Sequence, residues 1–314
     1  MARAFTFPGQ GSQTVGMGRA LADAFPAARL IFEEVDDALD IRLTRIMWEG
    51  PEADLTLTEN AQPALMATSL AVIRVLESEA GLDLSRHARF LAGHSLGEYS
   101  ALASGKALSV ADTARLLRTR GQAMQAAVPV GVGAMAALLA IDIDDVATKV
   151  VPGAAGGQVC AIANDNAPGQ VVISGHREAI EAALERAKEA GAKKGVLLPV
   201  SAPFHCPLME PAAEAMAEAL AAVPIQAPVV PIVANVTADA VGDPETIRTL
   251  LRDQITGRVR WRESILHMVD QGVEGIVEVG AGKVLTGMHK RIHRGLRCHA
   301  VETPADVDAF AKLL

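Results

Sequence analysis

The stretch Phe90-Leu91-Ala92-Gly93-His94-Ser95-Leu96-Gly97-Glu98 constrains this chain more than any other. It sets a serine between two glycines in the pattern Gly-x-Ser-x-Gly, after a short apolar run and before a helix-compatible segment, Glu98 to Leu102. A buried strand that bends through such a serine into a helix exposes the hydroxyl at a strained turn, where larger neighbours would clash. The next amide, on Leu96, then lies at a helix N-terminus and can stabilise an oxyanion. A glycine-rich strand–helix turn with an idle serine has the same sequence, so the pattern alone leaves catalysis open.

Half of the 314 residues are hydrophobic but only 3% are aromatic, so the core has to be built from Ala, Leu, Val and Ile. Alanine-rich helical segments beside Val/Ile-rich strands point to an α/β fold. The length suits one large domain or two unequal ones. Cys160, Cys206 and Cys298 are odd in number and scattered, which argues against a disulfide framework and fits a reducing cytoplasm. His289 and His293 lie four apart without an HExxH pattern, so no metal site is expected. A net charge of −8 argues against nucleic acid as a partner.

The N-terminal stretch Met1 to Pro8 holds no apolar run of signal-peptide length. Ala123 to Ile141 is uncharged and long enough to cross a bilayer, but Pro129, Gly131 and Gly133 interrupt it. It reads as a helix end, a loop and a strand, with no membrane partner.

Along the chain, Arg3 to Phe7 predicts a first strand, followed by the glycine-rich turn Pro8-Gly9-Gln10-Gly11-Ser12-Gln13 and a helix near Met17 to Ala24. The turn lacks GxxxxGK[ST] and any lysine, so it is a poor phosphate loop. Helices are expected over 27–39, 43–49 and about 62–80, then the elbow, then a helix over about 110–127 that carries Arg115, Arg118 and Arg120. Between 131 and 199 the expected order is strand 134–141, helix 142–150, strands 158–163 and 170–174, helix 177–190 and strand 195–198. That β-α-β-β-α-β order is the ferredoxin-like unit. Ser201-Ala202-Pro203-Phe204-His205 then leads into a helix through Ala221, and 229–233 and 275–279 read as further parallel strands. The expected fold is a large α/β-hydrolase-like domain from 1–130 and 200–314, with a small ferredoxin-like domain inserted at 131–199.

A serine nucleophile needs a base, and the base needs a group to orient it. His94 adjoins Ser95, but a sharp turn should direct its ring away, which favours a structural role. His205, in a proline-rich turn entering a helix, is the better base, although a histidine there is by default a cap or a surface residue. Cys206 is a rival nucleophile without an elbow around it.

Taken together, several blocks resemble the malonyl-CoA:acyl carrier protein transacylases. They are Gly9-Gln10-Gly11-Ser12-Gln13, Gly93-His94-Ser95-Leu96-Gly97-Glu98-Tyr99 and Arg120-Gly121-Gln122-Ala123-Met124-Gln125. Asn164 to Gly175, Ser201 to Met209, and Gln254 with Val259-Arg260-Trp261 complete the set, in family order over essentially the whole chain.

The resemblance implies that Ser95 attacks a malonyl thioester and that His205 takes its proton. It implies an oxyanion hole from the backbone amides of Gln10 and Leu96, and the backbone carbonyl of Gln254 as the group that orients His205. Arg120 would bind the malonyl carboxylate, since a planar guanidinium pairs bidentately with it. From the residues alone, Arg115, Arg118 and Arg120 are equivalent helix arginines. Phe204 would crowd out an α-methyl group, while Met124 and Asn164 would line the substrate site, Asn164 alternatively holding a loop between two strands of the insert.

The implied partners are malonyl-CoA and holo acyl carrier protein, with no cofactor and a monomeric enzyme. Carriers of this type are acidic, so docking would need a basic patch. Lys283, Lys290, Arg291, Arg294 and Arg297 form one without Asp or Glu, unless they are only a solvated helix face. The implied role is the supply of fatty acid synthesis. A polyketide pathway, another acyl-CoA, a serine hydrolase and a non-enzymatic carrier scaffold are the other readings.

Overall fold

The first strand, β1 (Arg3–Phe7), is buried from Ala4 to Phe7 and lies at the middle of the larger sheet. The second, β2 (Phe90–Gly93), is fully buried and pairs with it in parallel, Phe7 opposite Gly93. In chain order the others are β3 (Gly133–Leu139), β4 (Cys160–Ala167), β5 (Gln170–His176), β6 (Lys194–Leu197), β7 (Ile232–Val233), β8 (Ala240–Val241), β9 (Gly275–Val279) and β10 (Arg297–Val301). This computed structural model describes residues 2–154, 157–200 and 202–314. Met1 of the N-terminal stretch and Ser201 of the Ser201–Met209 block lie outside the described residues.

The larger sheet has the order β10-β9-β1-β2-β7-β8, parallel except for the edge strand β8. The second sheet is antiparallel with the order β4-β5-β3-β6 and draws every strand from residues 133–197. Read as β6-β3-β5-β4, it is the split-βαβ arrangement expected from the insert. The α/β fold class is therefore as read from the sequence. Because β1 and β2 are adjacent and parallel, the turn after β1 and the elbow after β2 emerge side by side at one end of the sheet, where open α/β sheets place their ligands.

The elbow's glycines are required by close packing. A Cβ on Gly93 would fall 1.8 Å from the carbonyl carbon of Gly97, and one on Gly97 would fall 2.3 Å from the Phe7 carbonyl oxygen.

The Val110–Ala126 helix begins where the Ser109 hydroxyl accepts from the Asp112 amide at 3.0 Å. Its buried residues are Thr113, Ala114, Leu116, Leu117, Arg120, Gly121 and Met124, so Arg120 is the one charged residue in a largely apolar row.

Several elements differ from expectation. The long helix runs Thr58–Ala80, and a short helix, Glu52–Thr56, precedes it. Pro63 lies inside the long helix, where it cannot bond the Glu59 carbonyl four residues back; Arg118 Nη1 donates to that oxygen instead, at 3.2 Å. Strand β4 extends to Ala167, which puts Asn164 at a bulge within a strand rather than in a loop. Pro231 removes a donor from the expected strand at 229–233, and only Ile232–Val233 pairs. The basic cluster is not one helix face. Lys283 precedes the Val284–Ile292 helix, Lys290 and Arg291 lie in its last turn, Arg294 follows it, and Arg297 opens β10, an edge strand not expected from the sequence.

The two sheets are tied through β4. Asn164 bridges to Val259, the Asp165 amide donates to the Val259 carbonyl at 2.9 Å, and Arg262 pairs with the buried Asp165 at 2.9 Å.

Candidate active site

Ser95 leaves β2 with φ +52, a left-handed conformation that a non-glycine residue adopts only when its surroundings hold it there. The constraint comes from Asn235, just beyond β7. Its side-chain oxygen accepts from the Ser95 amide at 2.7 Å, its side-chain nitrogen donates to the Gly93 carbonyl at 2.7 Å, and its own amide donates to Glu98 Oε2 at 2.9 Å.

His205 is also left-handed, at φ +58, and its Nε2 lies 2.8 Å from Ser95 Oγ. Its Nδ1 faces two carbonyl oxygens, Gln254 at 2.9 Å and Gly257 at 3.2 Å. Carbonyls only accept, so Nδ1 carries the proton and Nε2 is left to accept from the serine hydroxyl. Burial, and after it the charge of Arg120, pushes the imidazole down to about 3, against the pull of the Gln254 carbonyl. The resting base is neutral.

Arg120 is 1% exposed. Its Nη2 donates to Ser95 Oγ at 3.0 Å and to Gln254 Oε1 at 2.9 Å, its Nη1 donates to Gln62 Oε1 at 2.9 Å, and the guanidinium lies over the Tyr99 ring at 5.7 Å. Its Nε has no hydrogen-bond partner. Every acceptor that Arg120 reaches is neutral. Arg118, by contrast, pairs with Glu59, and Arg115 lies at the surface beside Asp112, so the three arginines separate in three dimensions.

Ser95, His205 and Arg120 open onto a cavity of about 340 Å³ that Gln10, Leu96, Met124, Asn164 and Phe204 also line. The backbone amides of Gln10 and Leu96 have no intramolecular acceptor among the described residues, so both are available to an oxyanion. Gln254 lies beneath the cavity and serves four neighbours. Its carbonyl faces His205, its Oε1 faces Arg120, and its Nε2 donates to the Ser95 carbonyl at 3.1 Å and to Glu98 Oε2 at 2.9 Å.

The basic cluster stays outside the cavity, although Val284, Leu285 and Met288 of the same helix line it. His94 bonds Asn166 of β4 at 2.8 Å and not Ser95, in keeping with a structural role. Cys206 is buried, its thiol turned to the Pro203 carbonyl at 3.1 Å and pushed up by burial. Sequence reasoning missed Asn235, Gln62, Asn166 and the Gly257 carbonyl. A polar residue just past an apolar strand of a parallel sheet was the available signal for Asn235.

The acyl transferase domain model matches residues 4–304. The malonyl CoA-acyl carrier protein transacylase of Escherichia coli (strain K12) is 45% identical over 310 residues, covering 99% of each chain. That of Bacillus subtilis (strain 168) is 44% identical over 311 residues, covering 99% of this chain and 96% of its own. The chain belongs to the malonyl CoA-acyl carrier protein transacylase family. Its acyltransferase fold superposes on an acyl-carrier-protein S-malonyltransferase of Bartonella henselae with TM-score 0.97, 54% identity and coverage of 100% and 99%. A malonyl-transacylase solved in complex with a holo type II polyketide acyl carrier protein superposes with TM-score 0.96 at 40% identity, covering 100% of both chains.

In this acyltransferase Ser95 and His205 are in contact, with a carbonyl pair on the imidazole where many serine hydrolases place a carboxylate. Among the described residues no group of His, Cys, Asp or Glu could hold a metal ion, and no helix is long and apolar enough to cross a membrane.

Proposed function

We propose that this enzyme transfers the malonyl group of malonyl-CoA to the phosphopantetheine thiol of acyl carrier protein, through an ester on Ser95, in the supply of fatty acid synthesis. The observation that carries the malonyl assignment is Arg120, a buried guanidinium whose Nη2 donates to Ser95 Oγ, whose Nε is unpartnered and whose hydrogen-bond acceptors are all neutral. A desolvated charge in that setting favours an anionic ligand, and a carboxylate matches its fork. The names of the relatives and the carrier seated on one structural neighbour support the two substrates.

Ser95 Oγ attacks the thioester carbonyl as its proton passes to His205 Nε2. The oxyanion sits on the amides of Gln10 and Leu96. The C–S bond breaks, and CoA leaves as the thiol with the proton from His205. In the second half the carrier thiol gives its proton to His205 and attacks the ester, and Ser95 Oγ leaves and takes that proton back. No further group enters either half. Phe204, Met124 and Asn164 shape the acyl end of the cavity. The insert is proposed to span 131–199, and the enzyme to work as a cytoplasmic monomer.

The exposed Lys290 and Arg291, with Lys283, Arg294 and Arg297 around them, offer an acidic carrier a basic approach beside the cavity. Steady-state transfer from malonyl-CoA and acetyl-CoA tests both assignments. Arg120→Ala is expected to lower malonyl kcat/KM by about 100-fold or more, the loss of roughly 3 kcal/mol of charge-assisted binding. Acetyl transfer should change little. An equal fall for both thioesters removes Arg120 from its role. Charge reversal of Lys290 and Arg291 is expected to raise the KM for carrier about fivefold or more while leaving that for malonyl-CoA alone. An unchanged carrier KM rejects that docking surface. Running the assay with a fatty-acid carrier and a polyketide carrier decides which one the enzyme serves.

A further inference from the structure

Glu98 is 3% exposed and lies below the cavity floor; its amide donates to the Ser95 carbonyl at 3.0 Å, but it does not line the cavity. One of its oxygens, Oε2, receives two hydrogen bonds at 2.9 Å, from the Asn235 amide and from Gln254 Nε2. The second bond has a geometric consequence. A glutamine side-chain amide can be turned end for end at little cost in shape, and only its surroundings decide which end faces where. Here Glu98 accepts from the nitrogen end, so the oxygen end, Oε1, is presented to Arg120 Nη2. With the amide reversed, two donors would meet at Arg120, and an acceptor would face an acceptor at Glu98. The Ser95 carbonyl, which also takes Gln254 Nε2, reinforces the same choice.

We propose that Glu98 is a positioning residue for substrate selection: by fixing the orientation of the Gln254 amide, it aims Arg120 at the acyl end of the cavity, and so sets the preference for a carboxylated acyl group. This rests on Arg120 being the carboxylate-binding group. Its lever is the placement of one acceptor oxygen, not the charge. The charge is in any case weakly held, because burial raises the carboxyl to about 7, against the hydrogen bonds from Asn235 and Gln254 and the charge of Arg120. A neutral isostere that keeps an oxygen in place should therefore serve, whereas a shorter carboxylate should not.

The test compares Glu98→Gln, which retains an acceptor at the same reach, with Glu98→Asp, which retains the charge but withdraws the oxygen by one bond, about 1.5 Å. Single-turnover acylation of Ser95 by malonyl-CoA and by acetyl-CoA, read by intact mass, gives the malonyl-to-acetyl rate ratio, with thermal unfolding of each variant alongside. Glu98→Gln is expected to hold the ratio within about threefold, and Glu98→Asp to lower it by about tenfold or more, because a freed Gln254 amide no longer fixes the guanidinium. A purely structural role would lower both rates together and leave the ratio alone. The proposal is overturned if Glu98→Asp keeps the wild-type ratio, or if Glu98→Gln loses it. Should Glu98→Asp fail to fold, Glu98→Gln still decides, since retention of the ratio without the charge supports the acceptor and its loss refutes it. Wild-type enzyme that takes no malonyl adduct would count against the function itself, a result distinct from an intact preference in the variants.

Discussion

The proposed base, His205, is ready before substrate arrives. Two carbonyls hold the proton on Nδ1, and burial keeps Nε2 unprotonated far below the usual histidine range. The folded-state pKa is lowered, so the base stays free as pH falls through 6.5 and is lost only near its depressed value. A neutral, serine-directed sulfonyl fluoride reports this without involving the malonyl carboxylate. Its rate of inactivation at Ser95 is expected to stay within about twofold from pH 7.5 to pH 5.5, where an unshifted histidine would slow it about tenfold. A tenfold fall centred near pH 6.5 would contradict the assignment. At this scale the sequence was informative about Ser95 and His205 because the elbow is a local pattern and needs a base. Arg120 looked like Arg115 and Arg118, yet its place in the Leu116, Leu117, Gly121 and Met124 row was a signal in the sequence itself. Glu98 gave no such signal, since nearly every residue around it in the Gly97–Ser104 helix is buried.

Among the elements, the elbow depends on a strand far away in sequence. Just beyond the short β7 lies Asn235, whose side chain spans the backbone on both sides of the strained serine. Asn235→Ala would leave the Ser95 amide and the Gly93 carbonyl without these partners beside a left-handed residue. The expected cost is about 2–4 kcal/mol of stability in urea unfolding, with Ser95 acylation slowed about tenfold or more. A variant as stable and as fast as wild type would show that the elbow holds itself. Periodicity located most helices and the order of the insert's strands, because those elements are long or strongly patterned. It overextended β7 and did not find β8 or β10, which are short or lie at a sheet edge and owe their pairing to neighbours the sequence does not name. Asn164 was left between site and loop for the same reason. The bulge that carries it is set by the contact with Val259.

For the whole molecule, the site is an assembly of distant segments. The turn after β1, the elbow after β2, the Val110–Ala126 helix, the His205 turn and the stretch from Gln254 to Gly257 meet at one end of the parallel sheet, while β4 of the second sheet closes the cavity from the side. Chain order and composition gave the α/β class and the insert. The convergence needed three dimensions, and with it came the contrast on which the proposed chemistry rests: a neutral imidazole and a buried guanidinium bonded only to neutral acceptors, on either side of one hydroxyl. The most direct test is the intact mass of the protein after brief mixing with malonyl-CoA, beside acetyl-CoA and Ser95→Ala controls. One malonyl adduct is expected on wild type, none on Ser95→Ala, little from acetyl-CoA, and loss of the adduct when holo acyl carrier protein is added, with the malonyl mass appearing on the carrier. An adduct that persists on Ser95→Ala, equal labelling by acetyl-CoA, or no adduct on wild type would contradict the proposed function.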